Sequence, residues 1–130
     1  LNSKLIIKGI ELLNRNKNAD SAVTVSIFNM YSPLRARKLN KKGFLEPFVD
    51  FNYFGNPKKL NCDRDSQGDT YFADMSYAIT RSDSLDKIED GLLPQKWMGQ
   101  KILPVFNKNG CDIDEDWQLD MSIRWLKQNS

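Results

Sequence analysis

The sequence contains no histidine. That absence excludes Ser-His-Asp and Cys-His catalysis, His-ligated metals and a neutral-pH imidazole base. Cysteine is scarce: Cys62 and Cys111 are the only two, and no CxxC exists. Two cysteines make no disulfide framework, and a single bridge would need an oxidising compartment. Free thiols in a cytosolic chain are the expectation. No apolar run approaches the roughly 20 residues of a membrane span. Leu5-Ile6-Ile7 is interrupted at Lys8, too soon for the core of a signal peptide. The first residue is Leu1 rather than Met, as in a chain that is processed, trimmed or begun at an unusual start codon. There is no phosphate loop, GxGxxG or GxSxG, no internal repeat and no low-complexity segment. These absences predict no catalytic residue, no cofactor and no membrane partner. A cytoplasmic or virion-associated location fits them, with a periplasmic or secreted one as the alternative.

What is present describes a globular chain. Its 130 residues and 15.0 kDa suit one domain spanning 1–130. With 40% hydrophobic and 28% charged residues, the composition is neither disordered nor collagen-like. The net charge of +2 hides an asymmetry. Residues 1–60 carry 11 Lys/Arg against 4 Asp/Glu, whereas residues 61–130 carry 8 against 13. A basic and an acidic face would suit an acidic partner, nucleic acid or head-to-tail self-association.

Hydrophobic periodicity then predicts the elements. Residues 4–15 read as an amphipathic helix, in which Gly9 would allow close packing. Val23, Val25 and Ile27 alternate with Thr24 and Ser26, which predicts a strand. Further strands are expected at about 44–54, weakened at Pro47, and at 70–80. The second would place Tyr71, Ala73, Met75, Tyr77 and Ile79 on one face and Asp74 and Ser76 on the other. Ser82-Asp83-Ser84 opens a short helix, and Gln95 to Ile102 suits another helical stretch. From Trp117 to Trp125 every odd position is apolar and every even one polar, which predicts a half-buried last strand. The expected fold is α+β: an antiparallel sheet of about four strands, an N-terminal helix and a second helix before the last strand. The expected core is Leu5, Ile10, Leu13, Val23, Val25, Ile27, Met75, Tyr77, Leu119, Met121 and Ile123.

Several groups of residues are candidates for chemistry or contact. Asp63, Asp65, Gly68 and Asp74 occupy calcium-loop positions, although Gln67 and Asp74 replace the usual ligand types. That makes them a weak metal candidate beside a plain polar turn. Arg35, Arg37, Lys38, Lys41 and Lys42 form a basic run followed by aromatics, a pattern that suits phosphates and unpaired bases or an acidic protein. Asp112, Asp114 and Asp116 form an acidic run with Glu115, followed by Trp117 where a metal loop needs glycine. The basic run and these three aspartates are the expected partner contacts. Glu46, Asp50, Lys58 and Lys59 carry carboxylates and lysines, but without the spacing of a nuclease site.

The segment Asp69-Thr70-Tyr71-Phe72-Ala73-Asp74-Met75, leading into Ser84 to Leu93, resembles the middle strand and helix of the tail terminator (minor tail) proteins of long-tailed phages. The alternating segment 117–125 is similar to their final strand. Residues 31–68 depart from that pattern as a longer insertion, and no functional residue carries over. The resemblance implies a non-enzymatic ring that ends tail-tube growth. The residues alone leave three functions open. The first is an assembly protein acting through protein contacts or self-association. The second is an immunity or inhibitor protein that neutralises a toxin. The third is a nucleic-acid binder or histidine-free nuclease.

Overall fold

Strand β1 (Ser21–Ile27) is the most deeply buried part of the chain. Its β-branched Val23, Thr24 and Val25 favour extended backbone, and small Ser21, Ala22 and Ser26 let neighbours approach. The computed structural model describes residues 3–63, 66–108, 110 and 112–129. In it β1 is the centre of a three-stranded sheet, between β4 (Tyr71–Thr80) and β5 (Ile102–Phe106). β1 and β5 are parallel, with Ser21 opposite Ile102 and Val25 opposite Phe106. β4 runs the other way: Arg81 N–H donates to Asp20 C=O, and Phe28 N–H donates to Thr70 C=O. A separate two-stranded antiparallel hairpin joins β2 (Arg37–Leu39) to β3 (Leu45–Pro47).

The α+β class expected from sequence is therefore the class observed, with the N-terminal helix and a short helix before the last strand. The sheet differs. It is mixed rather than antiparallel, and its three strands do not include residues 44–54. There only β3 is extended; a 3-10 turn follows at Phe51–Phe54. Pro47, which has no N–H to give a ladder, is the last residue of β3. Between Gln95 and Ile102 only Lys96–Met98 is helical, as a 3-10 turn.

The chain divides into two compact units, 1–26 with 73–130, and 27–72. In the first, helix α1 (Ser3–Arg15) lays Leu13 into a core with Ala19, Ala22 and Val105, flanked by Leu5, Leu12, Tyr77, Ile79 and Leu103. Gly9 is the close approach anticipated: a Cβ there would lie 2.9 Å from the Tyr77 hydroxyl oxygen and 3.1 Å from Ile79 Cδ1. The Tyr77 hydroxyl donates to the Leu5 carbonyl. At the other end of α1, the Arg81 guanidinium donates to the carbonyls of Leu13 and Ala19. A cation there answers both the unsatisfied carbonyls and the negative end of the helix dipole. Asp20 closes the same region, its Oδ2 accepting the N–H groups of Gln100 and Lys101 at 2.8 Å.

The largest correction is at the C-terminal end. Residues 117–125 are not a strand but part of α3 (Asp116–Asn129). Two-residue alternation was a misleading guide, because Trp117, Met121 and Trp125 also recur every four residues and so share one helical stripe. The start signals favour the helix. Acidic residues precede and open it, and Gln118 Oε1 accepts the N–H groups of Asp114 and Glu115, as the glutamine of a capping box does. None of the fourteen α3 residues is buried, so Leu119, Met121 and Ile123 are not core. Ile10 and Ile27 are also exposed, off the buried faces of their elements.

Candidate interaction surface

The surface candidates begin in residues 27–72, where the basic run lies. Three of its five cations, Arg35, Arg37 and Lys38, are engaged with other groups of the chain. Arg35 donates to Gln67 Oε1 at 3.2 Å and to the Cys62 carbonyl at 3.1 Å. Arg37 donates to the carbonyls of Leu34 and Ala36 and stands 5.6 Å from the centre of the Phe51 ring. Lys38 faces Glu46 across the hairpin, 3.6 Å away. Lys41 is exposed with Lys42 in the turn, where Asn40 Oδ1 accepts the Lys42 and Phe44 N–H groups. The two arginines thus brace a cavity of about 490 Å³ lined also by Phe51, Leu60 and Cys62. Cys62 is an exposed free thiol; Cys111 lies outside the described residues.

Around these cations the surface is apolar. Leu34 is the one buried hydrophobic residue described in 27–72. By contrast Met30, Leu39, Phe44, Leu45, Phe48 and Tyr53 are all at least 60% exposed, Tyr53 reaching 86%. Phe28, Tyr31 and Phe72 form a tilted and edge-on ring cluster with centroids 6.1–6.2 Å apart. Scattered exposed apolar residues need no explanation, but a unit with this many and almost no core does. Phe44, Phe48, Phe51, Tyr53 and Phe54 were legible as an aromatic cluster. The exposure of Phe44, Phe48, Tyr53 and Phe54 was not, because a strand reading supplies a buried face for them.

The remaining candidates lie in turns and at helix starts or, for Asp74, in the interior. Asp112 is exposed and its Oδ1 accepts the Ile113 N–H. Asp114 lies exposed in the approach to α3, and Asp116 is its first residue, where negative charge favours the helix. Asp50 and Asn56 cap 3-10 turns through the N–H groups of Asn52 and Lys58, and Lys58 and Lys59 form the second of those turns. The calcium reading loses its last position. Asp74 is 3% exposed, and its oxygens accept from Ser26 Oγ at 2.7 Å, Asn107 Nδ2 at 3.0 Å and Ser76 N–H at 3.1 Å. Asp63 is exposed, and Asp65 lies outside the described residues. Among the described residues, no three His, Cys, Asp or Glu side chains group as metal ligands would.

Asp74 corrects the reading of β4 as having a wet face. β1 takes eight steps from Asp20 to Phe28, while the opposite chain takes eleven from Thr70 to Arg81. Met75, with φ of 57°, marks where the surplus is absorbed, as at a bulge. The alternation resets there, turning Asp74 inward and leaving Met75 exposed. Burial pushes the Asp74 carboxyl up, but its hydrogen-bond donors outweigh burial and hold it below the usual aspartate value. Asp20 is also held low, first by the Lys101 and Gln100 backbone N–H groups. Burial pushes the Tyr77 hydroxyl up. A Cβ on Gly110 would meet Asp74 Oδ2 at 2.2 Å, so this position admits only glycine without rearrangement.

The sequence matches no family model, and no curated protein matches it. Among the described residues, no helix is long and apolar enough to cross a membrane.

Proposed function

We propose that this chain is a non-enzymatic assembly protein, and that residues 27–72 provide its main contact surface. The observation that carries the reading is the contrast inside that unit: one buried hydrophobic side chain against six that are at least 60% exposed. Exposed aromatic rings flanked by positive charge suit the centre of a protein interface, where aromatics and arginine are favoured. The alternative use of the basic run, binding phosphates, has less support. Arg35, Arg37 and Lys38 are engaged with carbonyl, amide or carboxylate groups of the chain itself. A phage-tail ring is one form such an assembly could take. The stretch from β4 into α2 (Ser82–Leu85) suits it, whereas α3 stands where that family's final strand is expected.

The test is absolute mass in solution by light scattering, across protein concentration and salt. The expected result is a discrete multiple of 15.0 kDa. A combined Phe44→Ser, Phe48→Ser and Tyr53→Ser variant should fold normally and reach a smaller assembly. A monomer at every concentration and ionic strength would overturn the assembly reading, and would favour an inhibitor acting on a different protein.

A further inference from the structure

The helix α3 offers a second, independent apolar surface. Trp117, Met121 and Trp125 follow one another at four-residue spacing, so they form one stripe along the helix. Trp117 is 53% and Met121 57% exposed. Asp120 and Arg124, also four residues apart, run along one flank of that stripe. Acids occupy the first half of the helix, at Asp116 and Asp120; bases occupy the second, at Arg124 and Lys127.

We infer that α3 pairs antiparallel with α3 of a second copy, about a two-fold axis at Met121. This specifies one contact of the proposed assembly and rests on that reading. The argument is self-complementarity. In an antiparallel pair centred on Met121, Trp117 of each copy meets Trp125 of the other, and Met121 meets Met121. Like flanks face each other across such a seam. Asp120 therefore comes beside the second copy's Arg124, and Arg124 beside the second copy's Asp120. A two-fold axis makes every contact occur twice. The antiparallel arrangement also sets each helix's acidic, N-terminal half beside the other's basic, C-terminal half, which suits both the side-chain charges and the helix dipoles.

The test is a charge-swap cycle read as the dimer dissociation constant by analytical ultracentrifugation, with circular dichroism to confirm helix content. Asp120→Arg alone and Arg124→Asp alone each place like charges opposite one another twice, and should weaken association about tenfold. The double variant Asp120→Arg/Arg124→Asp restores opposite charges and should recover most of that loss. Single swaps that associate as well as the unmodified chain would overturn α3 pairing while leaving the assembly reading standing. A double variant no better than the singles would also overturn it. An unmodified chain that stays monomeric would overturn both, and would mean that something else covers α3.

Discussion

The two units of this chain are held together in different ways. In the unit formed by 1–26 and 73–130, β1 is buried along most of its length, and α1, β4 and β5 supply side chains that close on it. In 27–72, order comes from local devices. They are 3-10 turns, side-chain caps by Asp50 and Asn56, and guanidinium bonds from Arg35 and Arg37 to nearby carbonyls. Devices of that kind fix a backbone but remove little apolar area from water. The first unit thus has its own reason to fold. The second presents aromatic area to solvent, which is the surface that contact would bury under the proposed function.

Substitutions should separate the two units sharply. Leu13→Ala removes buried volume from the core and should cost about 2–5 kcal/mol in chemical denaturation. Gly9→Ala forces a Cβ against the Tyr77 hydroxyl and Ile79, and should cost about 1–3 kcal/mol by the same measure. Asp74→Asn leaves the donors of Ser26 and Asn107 facing an amide that is half donor itself, with an expected loss of about 1–3 kcal/mol. Phe48→Ala in the other unit should change stability by no more than about 0.5 kcal/mol. A large loss there would show that the apolar surface of 27–72 is packed rather than presented.

Acid should find the same division. Asp74 and Asp20 both have carboxyls held below the ordinary aspartate value of 3.8 in the folded chain. The unfolded chain therefore binds their protons more readily, and stability falls as pH drops. Their contribution is full above about pH 4 and is withdrawn as pH falls through the lower, folded values. Thermal melts between pH 6 and pH 2 should show this loss, and Asp74→Asn should flatten the profile. An unchanged slope in that variant would remove Asp74 from the account.

Much of the first unit could be read from local pattern. Residues 4–15, 21–27 and 70–80 carry strong periodicity, and Gly9 marked a close approach. What escaped depended on events that periodicity does not encode. Met75 takes a positive φ and flips the alternation, so Asp74 becomes a buried anchor instead of a surface carboxylate. Residues 117–125 fit both a two-residue and a four-residue repeat, and the capping signal at Gln118 decides between them. The basic run was visible, but its internal hydrogen bonds were not. Arg35 meets Gln67 and Cys62 only through the path of the chain, about thirty residues away in sequence.

The central claim is that 27–72 is a surface completed by contact, whereas the sheet is complete by itself. Hydrogen exchange read peptide by peptide, at low and at high protein concentration, tests it most directly. Amides in 27–72 should gain protection as concentration rises, while those of β1 and β5 keep the protection they already have. Equal exchange in 27–72 at both concentrations would contradict the account.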